Sequence, residues 1–521
     1  MLTTIIAAIV LLSIIFYQYF RKRNSFFDSL NVKGPTPALL FGNLGEFWGV
    51  PIGLKIQQWT QKYGKVYGYY EGGTPVLVTS DLDILHDVFV KQFDSFHGRK
   101  LFPLQPNPDD DIMASIFMSR GMRWKRLRTI ANPVFSVANL KRLLPTCEVS
   151  VDNFMEIMDE RCQLGKPFDI HPYYQQLTCD VIARVAFGEE RDLQRDPNNP
   201  YIELCRELFP PNPKLSKNIW NIFAMILPEL RFLAQGAQDL QHKVTGANAW
   251  FVLTDKITKI VDERRLEKDG VERNIDFIQL FLEAESEDAK STTNENKKLE
   301  LSNMKVTKKL TTQEIVGQLT LFLVAGYDTT SNSLSYITYE LATHPEIQEK
   351  LRAEIDEVCS GSAEITYEQV SKLKYAEQVI KETLRLYPLA SLVQARLCMS
   401  SMEAGDKLKQ PIPQGLTVAA DVWSVHRDKT IWGDDADQFR PERFDEEVQR
   451  HPMAWFPFGA GPRICIGLRF TIIEQKIALT RMLQRFVIKK CAETLVPLRL
   501  CGAATVCPES VDIVLEPRND I

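Results

Sequence analysis

One cysteine of this sequence lies in a glycine-rich segment whose residue types suit ligand binding. The segment FPFGAGPRICIG, residues 456–467, surrounds Cys465 with Gly459, Gly461 and Gly467. Glycine lets the backbone adopt positive φ angles and approach a flat ligand closely. The residues after Cys465 have a strongly helical pattern, so the sulfur precedes a helix N-terminus, where backbone N–H groups favour a thiolate. The cysteine is therefore a candidate nucleophile or metal ligand.

Other roles for Cys465 have less support. The ten cysteines include no C-x-x-C pair and no short Cys/His spacing, which argues against structural zinc and against a disulfide framework. A buried structural thiol is the common alternative, because cysteine usually serves as a small apolar residue. A nucleophile needs a base, and none of the seven histidines lies in a recognisable partner motif. A thiolate that binds haem iron fits better, because Arg463 can meet a propionate.

The cysteine segment resembles the haem-binding loop of the cytochrome P450 family. The family pattern F-x-x-G-x-R-x-C-x-G is met by Phe458, Gly461, Arg463, Cys465 and Gly467. The resemblance implies that Cys465 is the axial ligand of haem b, iron protoporphyrin IX. It also implies that Phe458, Arg463 and Gly467 bind this cofactor.

Two further segments resemble the family's structural motifs. KETLRLYP matches its E-x-x-R helix and places Glu382 and Arg385 on one helical face, where an ion pair can form. FRPERF supplies Arg443, which the resemblance implies completes a Glu-Arg-Arg cluster beneath the haem. The alternative for E-x-x-R alone is an exposed pair, which contributes only about 0.3–0.5 kcal/mol. The order of the motifs along the chain favours the cluster.

Three other residues match the family's propionate-binding positions. RWKRLRTIANPVFS is similar to its W-x-x-x-R helix and places Trp124 and Arg128 one turn apart. The resemblance implies that both reach a propionate, whereas the alternative for Trp124 is a place in the core. Arg396, in VQARLC, matches a third propionate ligand.

The longest predicted helix contains residues expected to manage protons. It begins at TTQE, where Thr311 and Glu314 form a possible capping box. Within it, AGYDTT resembles the family's A/G-G-x-D/E-T motif, which implies that Thr329 relays protons at the iron and that Asp328 links this relay to solvent. Glycine in a helix interior is roughly 1 kcal/mol less favourable than alanine, so Gly326 needs an explanation. Space for dioxygen is one such explanation. The alternative is a solvated polar face.

The N-terminus has the features of a membrane anchor. Residues 2–20 are uncharged, apolar and numerous enough to cross a bilayer as a helix. Aromatic residues followed by the basic residues 21–23 match the patterns that leave the remainder in the cytosol. A cleaved signal peptide is the alternative, but no basic residue precedes the run and no small-x-small site follows it. We predict an anchor at 1–23, a proline-rich hinge at 24–37 and a single catalytic domain at 38–521.

Composition and the remaining patterns favour one mainly helical domain. The chain has 62 Lys+Arg and 67 Asp+Glu, a net charge of -5 and no large basic block, which argues against nucleic-acid binding. Residues 62–80, divided by Gly72 and Gly73, predict a β-hairpin. Residues 285–309 are polar and charged and predict a solvated loop. The resemblance implies the cytochrome P450 fold, a helical prism with small β-sheets, preceded by a transmembrane helix.

The resemblance covers nearly the whole chain and is strongest to the microsomal branch with mammalian drug- and steroid-oxidising members and thromboxane synthase. It implies a monooxygenase of the endoplasmic reticulum membrane, single-pass, with its catalytic domain facing the cytosol. One atom of O2 would enter a lipophilic substrate, with electrons from NADPH through NADPH-cytochrome P450 reductase and with cytochrome b5 as a second donor. Arg123, Lys125 and Arg126 are a candidate basic face for the reductase, with an ordinary solvated surface as the alternative.

Substrate contacts are expected from residues 97–121, from residues 208–232 and from the loop after Pro388, which are largely apolar and irregular. Residues 208–232 could also insert into the membrane surface, with ordinary core helices as the alternative.

Two other functions stay open. One is an isomerase of the same family that rearranges peroxides, against which the intact pair of Asp328 and Thr329 argues. The other is a haem-binding sensor or carrier without catalysis, which leaves the proton-relay helix and the anchor unexplained.

Overall fold

The structure is a computed structural model that describes residues 1–196, 199–208, 219–245, 249–266, 275–286, 309–360, 364–445, 448–502 and 505–518. Most of the predicted charged loop at 285–309 lies outside these residues, as does part of the predicted substrate-contact segment at 208–232. Helices account for most of the described chain, and the strands are short. The fold is therefore mainly helical, as predicted.

Eighteen α-helices form within the described residues. They are α1 (Leu2–Arg23), α2 (Ile52–Tyr63), α3 (Leu82–His86), α4 (Gly121–Ala131), α5 (Val137–Leu164), α6 (His171–Phe187), α7 (Pro200–Leu208), α8 (Ile219–Ile226), α9 (Arg231–Thr245), α10 (Ala249–Leu266), α11 (Phe277–Ser286), α12 (Thr312–Thr343), α13 (Pro345–Cys359), α14 (Tyr367–Lys372), α15 (Lys374–Leu386), α16 (Val422–His426), α17 (Lys429–Trp432) and α18 (Leu468–Arg485).

Eleven short strands form within the same described residues. They are β1 (Val66–Glu71), β2 (Thr74–Thr79), β3 (Phe168–Asp169), β4 (Ala395–Leu397), β5 (Met402–Ala404), β6 (Gln410–Ile412), β7 (Thr417–Ala420), β8 (Phe486–Lys490), β9 (Leu500–Cys501), β10 (Cys507–Pro508) and β11 (Asp512–Pro517). The largest sheet has the order β1-β2-β7-β4, a second has the order β3-β11-β8, and β5-β6 and β9-β10 are two-stranded pairs. The antiparallel pair β1-β2 confirms the predicted hairpin.

The long helix α12 is the central element of the core. It spans 32 residues and buries most of its side chains. The Thr311 hydroxyl accepts a hydrogen bond from the Glu314 N–H, and the Glu314 carboxylate accepts one from the Thr311 N–H, both at 3.2 Å, which confirms the predicted capping box. On the neighbouring α6, the Thr178 hydroxyl donates to the Tyr327 carbonyl at 2.7 Å. The capping box and the contact with α6 thus fix the position of α12 in the core.

The N-terminal helix α1 leaves most of its apolar side chains exposed. By length and composition, the span Thr3–Leu30 is capable of crossing a membrane. Residues 32–37 contain neither helix nor strand. The predicted hinge at 24–37 contacts β1, because the Gly68 N–H donates to the Lys33 carbonyl at 2.8 Å and Phe27 packs edge-on against Tyr70. The predicted hinge is therefore attached to the body of the protein.

Candidate active site

An internal cavity lies between α12 and the loop that contains Cys465. About 1410 Å³ of space, including its opening to solvent, is free of protein atoms. Seven predicted site residues line it, namely Trp124, Arg128, Thr329, Phe458, Arg463, Cys465 and Gly467. Arg396 and Asp328 are buried behind this lining. The structure therefore brings the cysteine, the tryptophan, two arginines and the threonine to one space.

The cysteine loop depends on two glycines with positive φ. Gly459 has φ +77° and Gly461 has φ +67°, values that favour glycine. A Cβ at Gly461 would overlap the carbonyl oxygen of Phe89, so the close approach at this position is to protein backbone. Gly467 has φ -82° and is the N-cap of α18. The prediction of positive φ at all three glycines is thus wrong for Gly467.

The Cys465 side chain is exposed, and the space that it faces is the cavity. Burial within the protein raises the pKa of Cys465. The N–H groups of Gly467 and Leu468, at the start of α18, and the guanidinium groups of Arg128 and Arg99 lower that pKa. The helix N-terminus and the two cations therefore offset only part of the cost of burial, and the pKa of Cys465 stays above its usual value.

Four arginines near the cavity have no carboxylate partner in the part of the chain that the structure describes. They are Arg99, Arg128, Arg396 and Arg463. Arg396 is fully buried, and its Nε and Nη2 atoms have no hydrogen-bond acceptor. The Nε atoms of Arg99 and Arg463 also lack one. Burial lowers the pKa of Arg463, and the charges of the other three arginines lower it further. Buried donors of this kind fit an anionic ligand such as a pair of propionates.

Arg99 lines the cavity but was not assigned to the cofactor site by the sequence interpretation. Its Nη1 donates to the Val393 carbonyl at 2.8 Å, and its guanidinium lies 4.1 Å from the centroid of the Phe117 ring. Its neighbour Lys100 forms an ion pair with Glu71 instead. In the sequence, Arg99 and Lys100 are adjacent cations in an irregular segment. Without a regular helix or strand, their spacing does not indicate which of them lines the cavity.

Trp124 has features of both roles considered for it, a core residue and a ligand-binding residue. Only 6% of its surface is exposed, and its ring lies 5.0 Å from that of Phe93, as expected for a core residue. The guanidinium of Arg463 lies 4.9 Å from its ring centroid, and Trp124 lines the cavity. The indole N–H has no acceptor among the described residues. It is therefore free to donate to a ligand in the cavity.

Thr329 faces the cavity, whereas Asp328 faces the protein interior. Thr329 lines the cavity, and its hydroxyl donates to the Ala325 carbonyl at 2.7 Å. The Asp328 carboxylate accepts hydrogen bonds from the Asn332 amide at 3.0 Å and from the Thr505 hydroxyl. Burial raises the pKa of Asp328 to about 6, although these two hydrogen bonds lower it. The alternative of a solvated polar face is wrong, because Asp328 and Asn332 are buried.

Gly326 is explained in part by helix packing. A Cβ at this position would lie 3.3 Å from Cγ1 of Ile182 on α6. This distance is tighter than ordinary van der Waals contact, so alanine would push the two helices or the Ile182 side chain apart. Gly326 also lines the cavity. The residue thus allows α6 and α12 to approach closely as well as leaving room at the site.

Glu382, Arg385 and Arg443 form a fully buried charge cluster. Arg385 donates to both carboxylate oxygens of Glu382 at 2.7 Å, and Arg443 Nε donates to Glu382 Oε1 at 3.1 Å. The remaining donors of Arg443 reach Asp435 and the Trp432 carbonyl. Such bidentate contacts satisfy the buried charges, as buried ion pairs require.

His426 connects this cluster to the cysteine loop. Its carbonyl accepts a hydrogen bond from Arg385 at 2.8 Å, and its Nε2 accepts one from the Phe456 N–H at 3.1 Å. Burial, together with the nearby Arg385 charge, lowers the pKa of His426 to about 3, so the ring is neutral and accepts at Nε2. A displacement of the cluster would therefore be transmitted to the start of the cysteine loop.

The predicted basic face at residues 123–126 is largely engaged within the protein. Arg123 and Arg126 both contact the Glu314 carboxylate, and their side chains are only 23% and 24% exposed. Arg123 Nη2 also donates to the Ile112 carbonyl at 2.9 Å. These two cations tie α4 to the start of α12, so their charge is partly neutralised by Glu314.

A buried carboxyl group that the sequence interpretation did not single out also lines the cavity. Glu474, on α18, is 3% exposed and has no hydrogen-bond partner among the described residues. Burial raises the pKa of Glu474 to about 8. A raised pKa in the folded state means that the protein becomes less stable as the pH rises from about 4.3, the pKa of an unfolded-state Glu, towards the folded-state pKa. We expect Glu474→Gln to stabilise the protein by roughly 1–3 kcal/mol at pH 8 and by far less at pH 5.

Thermal unfolding of both proteins at the two pH values measures this difference. Glu357→Gln, on the exposed face of α13, is the control and should change stability by less than about 0.5 kcal/mol at either pH. An equal effect of Glu474→Gln at pH 5 and pH 8 would contradict the raised pKa.

Comparison with known proteins extends over almost the entire chain. A family model described as Cytochrome P450 matches residues 32–515. CYP13A4 of Caenorhabditis elegans is 40% identical over 516 residues, 97% of this chain and 97% of that relative. CYP13A3 of the same organism is 40% identical over 512 residues, 96% of this chain and 97% of the relative. CYP13A8 is 38% identical over 521 residues, 98% and 99% of the two chains.

Proposed function

Because the chain belongs to the cytochrome P450 family of oxidoreductases, whose cofactor is a haem with a cysteine thiolate ligand, we propose that it is a membrane-anchored monooxygenase of lipophilic substrates. One atom of O2 enters the substrate and the other is reduced to water, with two electrons from NADPH delivered by a flavoprotein reductase. The observation that carries this proposal is the Cys465 thiol, which faces a largely apolar cavity lined by three arginines that have no carboxylate partner among the described residues.

The residues around the cavity fit the haem. Cys465 would ligate the iron, with Phe458 and Gly467 beside it in the cavity wall. The propionates would be held by Trp124, Arg128, Arg396 and Arg463 and, in addition to the predicted set, by Arg99. When bound, the haem supplies the activation of dioxygen, and the thiolate ligand favours cleavage of the O–O bond.

Thr329 and Asp328 would supply protons. The Thr329 hydroxyl gives its hydrogen to the Ala325 carbonyl, so the lone pairs of Oγ1 are available to accept a hydrogen bond in the cavity. The pKa of Asp328, raised to about 6, allows its carboxylate to take up and release protons near neutral pH. The buried contact with Thr505 connects Asp328 to the C-terminal segment.

We expect turnover to depend on the ionisation of Asp328. In the wild type, kcat should rise as the pH passes upward through about 6, because only the ionised Asp328 carboxylate can take up the next proton that it passes on to Thr329. Asp328→Asn should lose this rise and lower kcat by roughly 100-fold at pH 7.5. Thr505→Val should move the rise to higher pH, because the Thr505 hydrogen bond lowers the pKa of Asp328. The measurement is the pH profile of NADPH-dependent turnover with one reductase preparation, and coincident profiles of the three proteins would contradict this role.

The substrate class follows from the cavity wall. Phe117, Phe135, Ile182, Phe322 and Leu389 are among the apolar side chains that line it. The polar residues of the wall include Thr329, Thr330 and Ser333 on α12, and Thr471, Glu474 and Gln475 on α18. A lipophilic substrate is therefore favoured, because its burial removes apolar surface from water without stranding polar groups.

The proposed location is the endoplasmic reticulum membrane, with one transmembrane helix and the catalytic domain facing the cytosol, as in the microsomal branch. Basic residues end α1, in accordance with the positive-inside rule. Arg23 Nη1 donates to the Ile226 carbonyl at 2.6 Å, so the anchor adjoins α8. Phe232, Leu233 and Leu240 on the neighbouring α9 are more than half exposed, which supports a second contact with the membrane.

The decisive experiment uses the full chain in lipid vesicles with NADPH-cytochrome P450 reductase, NADPH, ¹⁸O₂ and a panel of lipophilic compounds. The expected result is a product that contains one ¹⁸O atom and forms only with NADPH and reductase. Cytochrome b5 is added in a parallel reaction as the second proposed donor. Conversion of hydroperoxides without NADPH would favour the isomerase, and the absence of NADPH consumption with every compound would favour a carrier.

A further inference from the structure

Two cysteines face each other across the β9-β10 pair. Cys501 and Cys507 occupy opposite positions of the antiparallel register, and their Sγ atoms lie 3.2 Å apart. Opposed residues in antiparallel strands have Cβ atoms about 4.5–5.5 Å apart, and a disulfide needs about 3.5–4.5 Å. A small movement of the strands is therefore enough for a bond. Within the described residues, no other two cysteine sulfurs lie within hydrogen-bonding distance.

The two thiols differ in their readiness to react. Cys501 is half-buried, whereas Cys507 is buried. The hydrogen bond from the Cys507 thiol lowers the pKa of Cys501, because it stabilises a thiolate there. The same contact, together with burial, raises the pKa of Cys507. Thiolates are the attacking species in disulfide exchange, so Cys501 is the first sulfur to react and Cys507 the resolving one.

The pair flanks a segment that contacts α12. Between the two cysteines in sequence, Thr505 donates its hydroxyl hydrogen to Asp328. The Val506 N–H donates to the carbonyl of Leu389, a residue of the cavity wall, at 2.8 Å, and Tyr336 of α12 donates to the Val506 carbonyl at 2.9 Å. A change at the cysteines therefore acts on a segment joined to the buried acid and to the cavity wall.

We propose that Cys501 and Cys507 form a reversible disulfide and are a redox-modification site of this protein. The oxidant is a small disulfide such as oxidised glutathione. The Cys501 thiolate attacks one of its sulfurs, which gives a mixed disulfide and releases one thiol. The Cys507 thiol then attacks the Cys501 sulfur and releases the second. Two protein thiols are oxidised and one small disulfide is reduced to two thiols. This site does not depend on the proposed substrate or electron donor.

The test uses the haem-bound full chain in glutathione buffers with a rising ratio of oxidised to reduced form. After acid trapping, alkylation and trypsin digestion, both cysteines lie in one peptide, residues 500–518. The expected product is this peptide lighter by two hydrogen atoms and without alkyl groups, and a reducing agent restores the alkylated form. Cys491, which is half-buried and whose backbone N–H donates to the Thr494 hydroxyl, is the internal control and should show only alkylation or a mixed disulfide.

Two comparisons make the test specific to the fold. In concentrated urea, bridging should require a glutathione ratio about tenfold or more higher than in the folded protein, because the strands no longer hold the sulfurs together. Cys507→Ser should convert the product to a mixed disulfide at Cys501 without changing the haem spectrum. A fully alkylated peptide at every ratio, or equal midpoints with and without urea, would overturn the proposal.

Discussion

Glu382→Ala should lower the free energy of unfolding by about 3–5 kcal/mol and prevent haem-bound protein from accumulating. The substitution leaves the fully buried Arg385 without a carboxylate partner, and the fully buried Arg443 keeps only Asp435. Removing one member of a buried ion pair is costly because the remaining charge has already lost its water. The loss would reach the site through His426, which accepts from Arg385 and from the Phe456 N–H.

Two variants keep this prediction measurable if Glu382→Ala does not fold. Arg443→Lys retains the charge but loses the planar fork, so we expect an intermediate loss of stability and a lower ratio of haem to protein. Lys381→Ala, which removes a partly exposed pair with Glu377 on the same helix, is the matched control. It should change stability by less than about 1 kcal/mol. Urea unfolding and haem content measure both, and a loss for Arg443→Lys no larger than that of the control would contradict the prediction.

Cys465→His should remove the red-shifted thiolate Soret band of the reduced carbon monoxide adduct. Imidazole is a neutral haem ligand and donates less electron density to iron than a thiolate. The N–H groups at the start of α18 and the charges of Arg99 and Arg128, which favour an anionic sulfur, would then face a neutral ring. We expect turnover to fall by more than about 100-fold, the upper range for residues that only support a ligand.

The control for this substitution is Cys491→Ser, which changes a half-buried cysteine at the end of β8 and should leave the spectrum and turnover intact. Carbon monoxide difference spectra and turnover of the three proteins decide the outcome. A wild-type adduct without the red-shifted band, or a Cys465→His adduct that keeps it, would exclude Cys465 as the ligand.

Local sequence patterns predicted the elements that local physics determines. The capping box of Thr311 and Glu314 marks the start of α12, because its two hydrogen bonds join residues three apart. Gly72 and Gly73 mark the turn of the β1-β2 hairpin for a similar reason. The spacing of the cysteine loop predicted that Cys465 and Arg463 face one site, and both line the cavity, because a short loop before a helix fixes their relative positions within a few residues.

Contacts between distant segments were beyond the reach of the sequence. Arg99 lies near Arg463 only because the fold brings their segments together, and no local pattern marks that approach. The packing of Gly326 against Ile182 depends on how α6 crosses α12. Asp328 has its partner in Thr505, 177 positions away, so its orientation away from the cavity was not visible in the AGYDTT motif. The docking of residues 32–37 on β1 is a tertiary contact of the same kind.

Arg99, Arg128, Arg396 and Arg463, which have no carboxylate partner in the described part of the chain, have a consequence for how this protein matures in the cell. Their like charges repel one another in a region shielded from water, which opposes the final packing of α4, β4 and the cysteine loop. A dianionic cofactor would act as their counterion, so its binding energy adds to the folding energy by mass action. The abundance of the folded protein should therefore follow the supply of haem, and chains made during haem shortage should be removed by proteolysis.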